Sequence, residues 1–338
     1  MIKYRQEGIA PPMMIILRRN IMSNSFMWAN LVHLGSNMWT EPGNRRTREN
    51  RSNAEALNYL RFDRKIWDDY MLYMKKGGVN TIILDVGEAM IYDSHPELAV
   101  EGSWTKEQMK EELQKLNKMG FEVVPKLNFS ACHDIWLKDY SRMLSTPTYY
   151  QVCKDVINDV CEVFKPKYFH LGMDEETAQH QGHFLYAVIR QFELWWHDFY
   201  YLVDCVENNG VRAWIWSDYI WNHQNEFVKK MPKSVLQSNW YYRAAFENLD
   251  AATEARLRAI DVMDRYGYDQ VPTGSVFSDN SNFEKLTKYS VEHIAPEHHL
   301  GMMQTSWEHL SREWLPTNYE AVDRVAAAKA WYEGNVGK

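Results

Sequence analysis

Short apolar runs alternate with longer amphipathic stretches along the whole chain. The runs are NLVHLGSNMW (30–39), VNTIILDVGEAM (79–90), FEVVPKLNFSACHD (121–134) and YFHLGMDEE (168–176). They continue as VRAWIWSDYIW (211–221), VLQSNWYY (235–242), QVPTGSVFSD (270–279) and LGMMQTSWEHL (300–310). Between them lie helical patterns: one reaching Lys76, TKEQMKEELQKLNKMG (105–120), a stripe from Val152 to Phe164, and an aromatic stretch from about Phe184 to Asn208. NLDAATEARLRAIDVMDRYG follows strand six, and a last helix is expected near 319–333. Runs apolar on both faces suit parallel strands covered by helices. Eight strand–helix units in order predict an α/β chain folded as one (β/α)8 TIM barrel.

No Gly/Ser linker or change of composition divides the chain. It reads as a lead-in over residues 1–29 and a single barrel domain over 30–338. An open doubly wound sheet is the competing architecture. It would carry a Gly-rich phosphate loop after an early strand, and neither GxGxxG nor GxxxxGK[ST] is present.

Composition narrows the function classes. The 338 residues are 45% hydrophobic and 25% charged, with a formal net charge of −7, which excludes a broadly basic nucleic-acid binder. The local cluster Arg45, Arg46, Arg48 and Arg51 reads as a solvated loop and helix start, so no nucleic-acid partner is expected. No stretch of 18 apolar residues suggests a membrane helix. In PPMMIILRRN the apolar run is too short for a secretory signal and its Arg pair follows instead of preceding it. No signal peptide is read; a chain trimmed of its leader would look the same, which leaves periplasmic or secreted locations open. The four cysteines form no CxxC pair, and Cys153 and Cys161 fall on the apolar helix stripe, where they read as small core residues.

In such barrels chemistry gathers where strands end and the following loops begin. These ends deliver Asp85, His133, His170, Asp174, Glu175, Trp216, Asp218, Trp240, Tyr241, Trp307 and Glu308. Aromatic rings stack on the C–H faces of a sugar while carboxylates bind its hydroxyls, so the set predicts a carbohydrate substrate. Some of the 14 tryptophans must be plain core, Trp195 and Trp196 inside a helix among them.

The run YFHLGMDEE poses a physical question, because adjacent carboxylates at the end of a buried strand repel each other. Side chains alternate along a strand, which puts His170, Gly172 and Asp174 on the barrel face and Phe169, Leu171 and Met173 on the helix face. Glu175 then follows just past the strand. Two crowded carboxyls need not ionise alike, and such a pair can supply an acid and a base at neutral pH. A solvated acidic loop, or acids favoured by a helix N-terminus, accounts for the spacing equally well.

The same residues resemble glycoside hydrolase family 20, the β-N-acetylhexosaminidases, whose strand four ends in His-x-Gly-Gly-Asp-Glu. Here the run is His170-Leu171-Gly172-Met173-Asp174-Glu175. GVNTIILDVGEAMIYDSHPEL is similar to the family's second strand and loop, and PKLNFSACHD to its third strand with His133 on the family's His. QTSWEHL is similar to its Trp-x-Glu at strand eight. The resemblance implies that Glu175 is the general acid and that Asp174 orients the substrate's own 2-acetamido group, a substrate-assisted retaining route. It places His133 near Glu175, with Trp216, Trp240 and Trp307 as walls, and implies no cofactor and no metal.

The chain departs from the family at several points. Met173 replaces a Gly, Lys126 and Asn128 replace Glu and Asp, and Gly87-Glu88 stands for an Asp pair. The first strand lacks the family's sugar-gripping Arg, and Phe277 aligns with its acetamido-holding Tyr. These losses bear on acetamido preference and exo-action.

Three alternatives stay open at this point. One is a two-carboxylate glycosidase of other specificity with Asp279 or Glu308 as nucleophile. Another is a non-catalytic carbohydrate-binding barrel. The third is a metal site drawn from His33, His133, Asp85 and Asp174. Sugar identity, linkage and oligomeric state are not written in the sequence.

Overall fold

The computed structural model describes residues 26–43, 55–177, 180, 188 and 190–336. Most of the lead-in, the Arg45–Arg51 cluster and residues 184–187 of the expected aromatic helix lie outside them.

All eight expected strands form: β1 (Met27–His33), β2 (Thr81–Asp85), β3 (Glu122–Lys126), β4 (Tyr168–His170), β5 (Arg212–Trp216), β6 (Leu236–Ser238), β7 (Thr273–Ser275) and β8 (Gly301–Thr305). They pair in parallel in the order β6-β5-β4-β3-β2-β1-β8-β7. The ring closes between β6 and β7 through single bridges, Gln237 with Gln270 and Trp240 with Thr273. The first strand starts at Met27, three residues before the expected barrel boundary.

Helices follow the strands: α1 (Arg64–Lys76), α2 (Lys106–Lys118), α3 (Pro147–Phe164), α4 (Glu193–Glu207), α5 (Tyr219–Lys230), α6 (Ala251–Arg265), α7 (Asn282–His293) and α8 (Leu315–Asn335). Their starts are written locally. Thr105 and Gln108 form a reciprocal capping box on α2, and Thr146 caps α3 with Pro147 in its first turn. The aromatic helix α4 starts at Glu193, later than its pattern suggests, and Phe192 before it is 74% exposed.

Two apolar layers result. Phe169, Leu171 and Met173 pack between sheet and helices, together with the α3 stripe, the buried free Cys153 and Cys161, and Trp195 and Trp196. Leu31, Ile83, Val124, Tyr168, Trp214 and Met303 fill the barrel interior. Burying such side chains stabilises by about 1.5–3 kcal/mol each. Two residues further along four neighbouring strands, the interior turns polar. His33, Asp85, Lys126 and His170 are register partners across β1 to β4, and each is buried. That ring is the floor beneath the strand ends.

Candidate active site

Gly172 carries the chain out of β4 with φ +71. A Cβ there would lie 2.1 Å from Asn128 Oδ1 and 2.9 Å from the Asn128 Cα, so only glycine lets the two loops touch. Met173 and Glu175 also have positive φ, 73° and 54°, an uncommon conformation for non-glycine residues. Strand alternation ends there, and three consecutive acids leave in different directions.

Asp174 turns inward and is buried. Its Oδ1 accepts from Asn128 Nδ2 at 2.8 Å and lies 3.2 Å from His133 Nδ1. Glu175, about a third exposed, has Oε2 at 3.6 Å from His133 Nε2 and 3.3 Å from His180 Nε2. Its backbone N–H donates to Asp218 Oδ2 at 2.9 Å. Glu176 turns away into an ion pair with Arg190.

These environments separate the charge states. Burial pushes the Asp174 carboxyl up, but the charge and hydrogen bond of His133, with Lys126 and Asn128, outweigh it and hold it well below the usual range. His133 shows the mirror image: burial pulls it down, while Asp174 and then Glu175 raise it to about 9. Burial, then the negative charge of Asp174, pushes Asp218 up to about 8. These shifts favour the ionised form of Asp174, the imidazolium form of His133 and the protonated form of Asp218. Asp218 Oδ1 has no hydrogen-bond partner among the described residues.

The walls are aromatic. Trp216 lies 4.5 Å from the His170 ring and 5.8 Å from Trp307 between centroids. Trp240 stacks on Tyr242 at 5.0 Å, and Tyr242 approaches Trp307 at 6.5 Å. Trp216 is buried and its Nε1 has no partner among the described residues. Trp240 and Trp307 are half-buried.

Several expected site residues sit elsewhere. Tyr241 faces the helix layer, packing on Phe246 and donating to Ala245 O; Tyr242, two residues on from Trp240, takes the cup-facing place. Asp85 is sealed in the floor, 2.5 Å from Lys126 Nζ and 2.8 Å from His33 Nδ1. His170 is fully buried beneath Trp216, its Nδ1 accepting the Gly172 N–H at 3.0 Å. Burial, then the Lys126 charge, holds His170 well below its usual value and hence neutral. Glu308 is buried at the end of β8, its N–H donating to Ser306 Oγ at 3.3 Å. Asp279 accepts from the Ser281 N–H and hydroxyl within its own turn, and the neighbouring Phe277 is 41% exposed.

The strand-six end also carries Tyr242, which the expected site set left out in favour of Tyr241 and which alternation from Trp240 could have supplied; the approach of His180 to Glu175 has no local sequence signal. Among the described residues, His133, Asp174 and Glu175 bring ligand atoms within 4.8 Å of one another. The imidazole stands between the carboxylates with one nitrogen facing each, within hydrogen-bond distance of Asp174 and 3.6 Å from Glu175. His33 and Asp85 belong to the Lys126 ring below.

Comparison with solved structures places this barrel. A β-N-acetylhexosaminidase from Bacteroides fragilis superposes with a TM-score of 0.58 at 14% identity, covering 91% of this chain and 71% of that one. The barrel fold is shared with solved glycoside hydrolases of family 20. A family 20 β-N-acetylhexosaminidase from Streptomyces coelicolor gives a TM-score of 0.57 at 13% identity over 92% of this chain and 70% of that one. The family 20 exo-β-N-acetylglucosaminidase of Vibrio harveyi, solved with N-acetylglucosamine, gives 0.58 at 13% identity over 92% and 57%. Among curated proteins, a lacto-N-biosidase of Bifidobacterium bifidum is 24% identical over 123 residues, 32% of this chain and 11% of that protein. The match thus spans a small part of that relative. No protein-family profile matches the chain. The family 20 fold is shared while the sequence is far diverged.

Proposed function

We propose that the chain is a glycoside hydrolase that removes terminal β-linked N-acetylhexosamine, or a closely related sugar, by a substrate-assisted retaining route. The observation that carries this reading is the Asp174–His133–Glu175 array at the end of β4, opening into an aromatic cup on a family 20 barrel.

Glu175, the partly exposed acid, protonates the glycosidic oxygen as the bond to the anomeric carbon breaks. His133, between the two carboxylates, exchanges protons with it. Asp174 stays ionised and accepts from the substrate's acetamido N–H, so that the acetamido oxygen attacks the anomeric carbon. Water then opens the cyclic intermediate with Glu175 acting as base. Trp240, Tyr242 and Trp307 stack on the sugar and exclude water, with the buried Trp216 packed beneath them.

Absence of the strand-one Arg favours a sugar gripped less tightly at its outer hydroxyls, and an exposed Phe277 in place of the acetamido-holding Tyr favours a looser hold on the acetamido group.

The test is release of nitrophenol from an aryl β-N-acetylglucosaminide, with the plain aryl β-glucoside as control. Turnover of the first, lowered about 10²–10⁴-fold in Glu175→Gln, is expected. Equal turnover of both substrates would remove the acetamido mechanism, and turnover of neither would remove the hydrolase.

A further inference from the structure

Glu176 is the third acid of the run, and its surroundings differ from those of the other two. Its side chain is 3% exposed. Arg190 donates to it in a fork, Nε to Oε1 at 2.9 Å and Nη2 to Oε2 at 2.7 Å. The Arg190 backbone N–H adds a bond to Oε1 at 3.1 Å, and the Ala131 N–H one to Oε2 at 3.3 Å. The guanidinium, itself 1% exposed, also donates through Nη2 to Phe129 O at 2.7 Å and faces Asp198 Oδ2 on α4 at 3.4 Å.

Phe129 and Ala131 belong to the loop after β3, between Asn128 and His133. One buried ion pair thus fastens the loop that supplies Asn128 and His133 to the loop that supplies Asp174 and Glu175. The second loop needs fastening. Its positive φ values at Met173 and Glu175 flank Asp174, and such backbone persists only where its surroundings over-determine it. A planar fork fixes orientation as well as distance, which a lysine or an apolar pair does not. As a source of stability alone, a buried ion pair has no advantage over packed apolar residues.

We propose that Glu176 and Arg190 are positioning residues whose forked pair holds Asp174 and Glu175 in register with Asn128 and His133. This rests on the hydrolase reading above for its catalytic readout, and on geometry alone for its structural one.

The experiment pairs Arg190→Ala and Arg190→Lys with kinetics on the aryl N-acetylglucosaminide and with amide exchange over residues 173–177. Free guanidinium ion at millimolar concentration serves as the rescuing probe. A misplacement of about 1 Å costs on the order of 10²-fold in rate, so kcat of Arg190→Ala should fall by about that factor while KM changes far less. Guanidinium should restore part of kcat and slow exchange at 173–177, and Arg190→Lys should fall between the two. A folded Arg190→Ala with wild-type kcat and exchange overturns the proposal, as does a loss of kcat that guanidinium leaves untouched. Should Arg190→Ala not fold, Glu176→Gln decides, and full kcat in that variant overturns it equally. Should the wild-type protein turn over no hexosaminide, the hydrolase reading falls, and exchange with its guanidinium response decides the positioning role by itself.

Discussion

Gly172→Ala tests whether the contact between the loops after β3 and β4 is as tight as the structure has it. Three terms add. The backbone at φ +71 costs an alanine about 1–2 kcal/mol. The new methyl would sit 2.1 Å from Asn128 Oδ1 and 2.9 Å from its Cα. Because one of those atoms is backbone, rotating the Asn128 side chain cannot relieve the clash, and overpacking of this kind costs about 1–3 kcal/mol. Moving Asn128 also breaks its 2.8 Å bond to the ionised Asp174, worth about 1.5–3 kcal/mol. The sum is about 4–8 kcal/mol, against a typical domain stability of 5–15. Gly210→Ala is the matched control: φ is +73, but nothing lies within 4 Å of the added Cβ, so only the first term applies. Equilibrium urea unfolding of both variants gives the difference directly, and the unfolded-state effect of alanine cancels. If Gly172→Ala is no less stable than Gly210→Ala, the loops are not in contact as described and the reasoning about this site is wrong.

Other outcomes follow from the same charges. Lys126→Met leaves Asp85 buried without its ammonium and should cost about 3–5 kcal/mol; adding Asp85→Asn should recover much of it, which a double-mutant unfolding cycle reads. The folded His133 is raised to about 9 above an unfolded value of about 6.5, so its contribution is complete below pH 6.5 and is lost as pH rises through 9. His133→Gln should abolish that part of the decline in unfolding free energy. Asp218 is likewise raised, to about 8, so the native state loses stability as pH climbs from about 4 toward 8. Asp218→Asn keeps an acceptor for the Glu175 N–H and should flatten the slope, by at most about 1.4 kcal/mol per pH unit; an unchanged slope would mean that Asp218 ionises normally.

The barrel was legible because its strands are apolar on both faces and alternate with helical patterns, so period alone separated the units. On β4 the two-residue alternation placed Phe169, Leu171 and Met173 against the helices as observed. The same rule, extended from Trp240, selects Tyr242 over Tyr241; the strand itself stops at Ser238, and a run of four aromatic or polar residues hid which pair shared a face. Asp85 and His170 looked like substrate contacts because they stand near strand ends, yet both are buried, Asp85 against Lys126 and His33 and His170 against Trp216. Sequence does not give that depth, since it depends on the stagger between neighbouring strands. The Glu176–Arg190 pair was invisible for a different reason. Its members are fourteen residues apart in irregular backbone, where no period applies.

The adjacency of three acids then has a physical resolution that neither strand nor helix geometry would allow. In a continued strand, Asp174 and Glu176 would share a face and repel across a low-dielectric cavity; in a helix, all three would crowd the first turn. Positive φ at Gly172, Met173 and Glu175 breaks both patterns and sends each carboxylate to its own counter-charge or donor. Asp174 goes to Asn128 and His133, Glu175 to two histidine rings, and Glu176 to Arg190. The buried Lys126 below adds a further positive charge that favours an ionised Asp174 and opposes charge on His170. Each partner is therefore a requirement for the neighbouring acid as well as for its own. Remove the Arg190 cation, and Glu176 becomes an uncompensated negative charge beside Asp174 and Glu175.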